Sequence, residues 1–332
     1  MYETFFGLTR NPFTMTPDPS ALFLTVAHRE ALAGLSYAIM ERKGFVLLVG
    51  EAGTGKTTML RRLLELAREA NAQTCVLSNP TLTPAEFLEL LLHNFGIKDF
   101  PVSKARRLIL LEEMLVAAHI EGRAPVLVID EAHKLSFEVL EEIRLLTNFE
   151  TKDQKLLQIV LAGQPELNEI FNRPELWQLK QRVAIRLKVD ALTRKQVEDY
   201  LVYRWVKIGG AQLLPFTDDA ISLIVKWSRG IPRLVNSICD NALLLAFSNN
   251  TRVIGQWIIQ EVVRDLDLKP GPGFEHASRV TELPEPTPMP MPVPVIAPES
   301  KARPVSFATL DRYTRPEPKP FFLQRWTARL RA

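Results

Sequence analysis

The chain has 332 residues, 46% hydrophobic and 24% charged, with 41 Lys/Arg against 38 Asp/Glu and a net charge of +3. This is the composition of a soluble globular protein with room for two or three domains. No apolar run approaches the ~20 residues needed to cross a bilayer, and residues 300–332 alone carry a net +6, so residues 1–299 sum to −3 and make no bulk case for nucleic acid.

The opening, MYETFFGLTRNPF, has no basic region followed by an apolar core and does not read as a signal peptide. Two cysteines, Cys75 and Cys239, lie in apolar stretches and point to a reducing compartment without a disulfide framework. A cytoplasmic location is expected, with any contact to the inner membrane peripheral and made through partners. Apolar runs at 45–49 (FVLLV), 74–78 (TCVLS), 125–129 (PVLVI), 156–162 (LLQIVLA) and 183–187 (VAIRL) predict strands. Their continuity, without polar alternation, predicts burial on both faces, as in a parallel sheet. Between them, TPAE at 83–86 marks a helix start, with Thr83 as N-cap, Pro84 in the first turn and Glu86 as capping-box partner. Residues 1–190 read as an α/β domain with helices covering a central sheet.

Residues 191–268 lack strong strand signals. TRKQ at 193–196 is a second capping box, opening a helix with Val197, Leu201, Trp205 and Ile208 on one face and Gly209-Gly210 at its end. A further helix starts near Thr217, Gly230-Ile231-Pro232 breaks it, and another runs from about Pro232 to Phe247. These residues read as a small all-helical domain. Residues 269–299 contain nine prolines and predict a disordered, extended, semi-rigid linker. In the basic tail, 300–332, Phe322, Trp326 and Leu330 share a helical stripe flanked by Arg325 and Arg329. That pattern suits docking to an acidic partner groove or an anionic membrane surface.

The chemistry concentrates in GEAGTGKTT, residues 50–58: Gly50, Glu51, Ala52, Gly53, Thr54, Gly55, Lys56, Thr57 and Thr58. This is a phosphate-binding loop between an apolar strand and a helix. Glycines let successive N–H groups face one phosphate, and the helix N-terminus adds its dipole. Lys56 supplies charge for the outer phosphates, and the Thr57 hydroxyl can ligate Mg²⁺. A second strand ends in Asp130-Glu131, where α/β sheets bind ligands. Asp130 would hold Mg²⁺ through water, and Glu131 would act as general base on the attacking water. Gln164, ending a third strand in AGQPEL, could sense the γ-phosphate or orient that water. Arg182 and Arg186 flank the last strand; one of them would point at a neighbouring subunit's nucleotide, and periodicity does not choose between them. Arg233, in RGIPRLVN, opens a helix from which it can reach back to a phosphate.

Together these residues resemble the AAA+ ATPases, and more closely the general secretion pathway protein A family, over roughly residues 1–265. The resemblance rests on the opening MYETFFGLTRNPFTMTPDPSALF and HREALAGLSYAI. GEAGTGKTT, VIDEAHKLS, IRLLTNFET, AGQPEL, QLKQR and GIPRLVN then follow in the family's order. It implies a P-loop AAA+ parallel-sheet domain with a C-terminal all-helical lid. It implies Lys56 and Thr57 as the Walker A pair, Asp130 and Glu131 as the Walker B pair, and Gln164 as first sensor. Arg182 would be the arginine finger and Arg233 the second sensor, with the N-terminal segment and His28 closing over the adenine. ATP and Mg²⁺ are the implied cofactors. The implied partners are further copies of the chain, in a ring or filament, and envelope or secretion machinery, pilus and polysaccharide export included, with a membrane-associated partner reachable through the tail. Related AAA+ proteins that assemble on DNA and recruit a transposase supply one alternative role, and a non-catalytic ATP-binding scaffold a second. After residue 268 the sequence departs from the family's best-described members, which continue through a membrane span into a peptidoglycan-binding region.

Overall fold

The computed structural model describes residues 2–16, 23–78, 81–99, 101–209 and 214–269; the proline-rich stretch and the basic tail, 270–332, lie outside the described residues. Among the described residues, five parallel strands are laid down in the order β2-β3-β4-β1-β5. They are β1 (Phe45–Gly50), β2 (Gln73–Leu77), β3 (Pro125–Ile129), β4 (Gln158–Gly163) and β5 (Ile185–Val189). The three central strands, β3, β4 and β1, are buried at every position, as continuous Val/Ile/Leu runs require when helices cover both faces. Their first-domain partners are α2 (Val26–Met40), α3 (Lys56–Glu69), α4 (Pro84–Asn94), α5 (Lys104–Ile120), α6 (Phe137–Leu146), α7 (Glu166–Phe171) and α8 (Trp177–Gln181), preceded by a short α1 (Tyr2–Phe6).

The last strand differs from the sequence reading. VAIRL at 183–187 reads as buried on both faces, but β5 begins two residues later and alternates, with Arg186 and Lys188 exposed. Among the described residues it is an edge strand, paired with β1 alone, so its outer side chains meet solvent. β4 likewise starts at Gln158 instead of Leu156. The Gln158 side chain accepts from Gly44 N at 2.8 Å and donates to Lys155 O at 2.9 Å. That tie closes the turn before the ladder begins.

A second core gathers α9 (Arg194–Lys207), α10 (Asp218–Ser228), α11 (Pro232–Ser248) and α12 (Gln256–Asp265). Both sequence-predicted capping boxes form, at Thr83/Glu86 and Thr193/Gln196. Gly209 follows α9 at φ +83°, and Gly210 lies outside the described residues. The N-terminal residues depart from their assignment to the first domain. Tyr2, Leu8 and Phe13 pack in the helical core. Hydrogen bonds fasten the segment there: Tyr2 Oη and Asn11 Nδ2 both donate to Asp240 Oδ1, Thr9 Oγ1 to Ile208 O, and Arg204 Nε to Pro12 O. The opening has no clean period that could have named this partner.

The two cores meet at Gly230. Leu192 N donates to Gly230 O at 2.8 Å, tying the link after β5 to the turn between α10 and α11. Gly230 has φ +73°, and a Cβ there would lie 2.0 Å from Leu192 O. Gly230→Ala should destabilise the protein by about 2–5 kcal/mol, combining roughly 1–2 for left-handed backbone with roughly 1–3 for forced overpacking. A denaturant melt within 0.5 kcal/mol of wild type, about the spread of neutral surface changes, would show that the backbone shifts freely there.

Candidate nucleotide-binding site

β4 lies between β3 and β1, so the chain's return to the sheet centre sets three strand ends side by side. These are the loop after Gly50, the Asp130-Glu131 pair and Gln164. Such a switch in strand order leaves a crevice at the carboxyl ends of the strands.

The loop turns through Gly53 (φ +83°) and Gly55 (φ +99°), and Gly55 caps α3 without a side-chain bond to its first N–H groups. Those donors point outward with the helix dipole behind them, an arrangement suited to an anion. Thr54 Oγ1 donates to Glu51 O at 2.8 Å and stiffens the turn. Lys56 is only 5% exposed, and its Nζ donates to Gly50 O at 2.7 Å and Glu51 O at 2.8 Å. Burial lowers the Lys56 pKa; the negative charges of Asp130, Glu131 and Glu166 oppose the shift, and the Arg233 charge adds to it.

Thr57 Oγ1 donates to Asp130 Oδ2 at 2.7 Å, joining the start of α3 to the end of β3. Among the described residues no cluster of three His, Cys, Asp or Glu stands ready to hold a metal alone. A lone hydroxyl–carboxylate oxygen pair fits Mg²⁺, which keeps several waters and takes phosphate oxygens for the rest of its shell.

Glu131 sits at φ 55°, ψ 33°, left-handed backbone that non-glycine residues rarely adopt. Its N–H donates to Asp130 Oδ1 at 2.9 Å, and its Oε2 lies 3.3 Å from Lys134 Nζ and 3.6 Å from His133 Nε2. His133 was not singled out from the sequence. Its ring meets Gln164 twice: Gln164 N donates to Nδ1 at 3.4 Å, and Gln164 Nε2 lies 3.0 Å from His133 Nε2. The available signal was a histidine two residues past the acid pair, on a tight turn that folds it back over Glu131.

The lid closes the other wall. Arg233 N donates to Gly53 O at 3.3 Å, and a Cβ on Gly53 would lie 2.7 Å from Arg233 Cβ. The cleft between loop and lid is lined by Thr54 to Thr58, Glu131, Arg233, Tyr200, Asn236 and, from the N-terminal side, Thr14 to Thr16 and His28. Asn236 accepts from Tyr200 Oη at 2.7 Å and donates to Thr14 O at 3.2 Å, so the N-terminal strap is bonded to the lid inside the cleft. His28, buried, accepts from the Thr25 hydroxyl at Nδ1 (2.6 Å) and faces Thr54 O with Nε2 at 3.3 Å. Burial lowers its pKa, against the bond to Thr54.

Arg182 stands apart. It does not line this cleft; its Nη1 donates to Arg144 O at 2.7 Å and to the Thr147 hydroxyl, at the C-terminal end of α6. Arg186 is exposed on β5.

Residues 39–171 match a family described as an AAA domain. Over 258 residues the chain is 40% identical to general secretion pathway protein A of Aeromonas hydrophila, covering 76% of this chain and 46% of that protein. The match marks residues 39–171 as an AAA domain. The chain spans about half the length of the secretion protein it matches. It is also 26% identical over 261 residues to the ATP-dependent target DNA activator B of Escherichia phage Mu, covering 76% of this chain and 75% of that protein. The crystal structure of Cdc6p from Pyrobaculum aerophilum shares its fold, with a TM-score of 0.60 at 20% identity over 78% of this chain and 71% of that one. Among the described residues, no helix is long and apolar enough to cross a membrane.

Proposed function

We propose that this chain hydrolyses ATP in an assembly of identical subunits and uses the cycle to drive assembly of cell-envelope secretion machinery. The observation that carries the reading is the cleft itself. Lys56, Thr57 and the uncapped start of α3 line it from the sheet, with Asp130 bonded to the Thr57 hydroxyl, and Arg233 lines it from the lid. The α3 N–H groups and Lys56 bind the phosphates. Mg²⁺, held by Thr57 and Asp130, would neutralise charge on the β- and γ-phosphates. Glu131 takes a proton from the attacking water, and Gln164 orients that water or reads the γ-phosphate. Arg233 carries the nucleotide's state to the lid. Because the N-terminal strap is bonded to the lid, the two move together, and differential affinity for ATP and ADP becomes motion.

Arg182 lies outside its own cleft, which supports a role toward a neighbour's γ-phosphate. The test mixes two inactive variants. Lys56→Ala and Arg182→Ala should each lack turnover, and co-assembled mixtures should recover it, because some interfaces pair an intact Lys56 site with an intact Arg182. Co-assembled mixtures without recovery would overturn the role in trans and turn attention to Arg186.

The 40% identity to general secretion pathway protein A supports an envelope partner. The likeness to the phage Mu activator supports a second reading, a DNA-associated regulator of transposition. The −3 charge of residues 1–299 favours the first. Duplex binding that weakens steeply with salt would favour the second.

A further inference from the structure

The ring of His133 stands between two residues to which the proposed reaction gives separate tasks. The 3₁₀ turn Ala132–Lys134 carries it back toward Glu131, and the end of β4 presses Gln164 against it. Gln164 N donates to Nδ1, so Nδ1 is the acceptor and the ring's N–H lies on Nε2. That one N–H has two acceptors in reach. Glu131 Oε2 is 3.6 Å away. The Gln164 side-chain amide is 3.0 Å away and offers its oxygen when the amide group is turned over, since two donors do not bond.

We propose that His133 is a positioning residue that couples Gln164 to Glu131. While Gln164 lies on His133, its amide oxygen takes the Nε2–H, and Glu131 is held by Lys134 alone, at 3.3 Å. When Gln164 turns to the γ-phosphate, the Nε2–H is released to Glu131 Oε2. Held by His133 and Lys134 together, that oxygen fixes the carboxylate, and Oε1 is left to accept the proton of the attacking water. No proton changes owner in the coupling step; one hydrogen bond is re-aimed. The left-handed backbone of Glu131 supports this, because it holds the carboxylate's base rigid while the side chain is steered.

The inference rests on Glu131 acting as base, so Glu131→Gln is assayed alongside. His133→Ala and His133→Asn should lower kcat by about 10²-fold, the cost of misplacing a reacting group by roughly 1 Å. KM and the affinity for a non-hydrolysable ATP analogue should stay unchanged. His133→Gln, whose amide N–H can reach the Nε2 position where that of Asn falls short, should recover about tenfold over the Ala variant. In ¹⁵N-labelled wild type, the His133 Nε2 resonance should move when the analogue binds, and in Gln164→Ala it should not. A kcat for His133→Ala within a few-fold of wild type, equal rescue by Asn, or the same resonance shift without Gln164 would each overturn the coupling. If Glu131→Gln turns over normally, the base assignment fails first and the resonance decides the coupling alone. If the Ala variant does not fold, the Gln–Asn contrast and the resonance carry the test.

Discussion

Lys56→Ala should bind ATP at least about 10²-fold more weakly than wild type in a calorimetric titration. A phosphate in the loop would take charge-assisted hydrogen bonds from Lys56, each worth roughly 1.5–3 kcal/mol, and each 1.4 kcal/mol is tenfold in affinity. The same substitution removes the buried positive charge that stands beside Asp130 and Glu131, so an incoming polyanion meets two carboxylates without their countercharge. Loss of fold is separable from loss of binding by the sign of the pKa shift. Burial holds the Lys56 pKa below its ordinary 10.5, so the charged form is less favourable folded than unfolded. That penalty is present at neutral pH and is relieved as pH rises through the depressed value toward 10.5. Lys56→Met, which keeps the apolar stem and drops the charge, should therefore melt no lower than wild type while binding ATP as poorly as the Ala variant. Near-normal affinity in either folded variant would remove the loop from the nucleotide site.

The loop and the acid pair were legible because their chemistry is local. A glycine-rich turn between a strand and a helix specifies its own backbone, and GEAGTGKTT sits in nine consecutive positions. The central strands were legible for a related reason: a strand covered on both faces must be apolar throughout, as FVLLV and PVLVI are. β5 was misread because an edge strand obeys a different rule, and nothing in VAIRL announces that only one neighbour will pair with it. The N-terminal strap was misassigned because its bonds span some 200 positions, from Pro12 to Arg204 and from Thr14 to Asn236. His133 was missed because its role depends on the insertion of β4 beside β3. Only that topology brings Gln164, 31 residues later, onto the ring.

Glu131→Gln should bind ATP with near-native affinity and lose about 10²–10⁴-fold in turnover, the usual contribution of a positioned general base. Gln keeps the size of the side chain and can still offer an oxygen to Lys134, 3.3 Å from Glu131 Oε2. It also keeps the N–H that Asp130 Oδ1 accepts at 2.9 Å, so the left-handed turn and the Thr57–Asp130 pair are preserved. What it loses is the capacity to take a proton near neutral pH. If nucleotide state sets assembly, this variant should accumulate in its ATP-bound oligomer, visible by sedimentation as a larger species with ATP than with ADP. Lys56→Ala should show no such species with either nucleotide, because its loop cannot hold the phosphates that distinguish them. Turnover within a few-fold of wild type would show that Glu131 is not the base. An oligomer indifferent to nucleotide, with turnover abolished, would leave the chemistry standing and break its link to assembly. The left-handed backbone of Glu131 sharpens the comparison further. Glu131→Gly relaxes that conformation and removes the carboxylate together, so it should fold at least as stably as Glu131→Gln while turning over no faster.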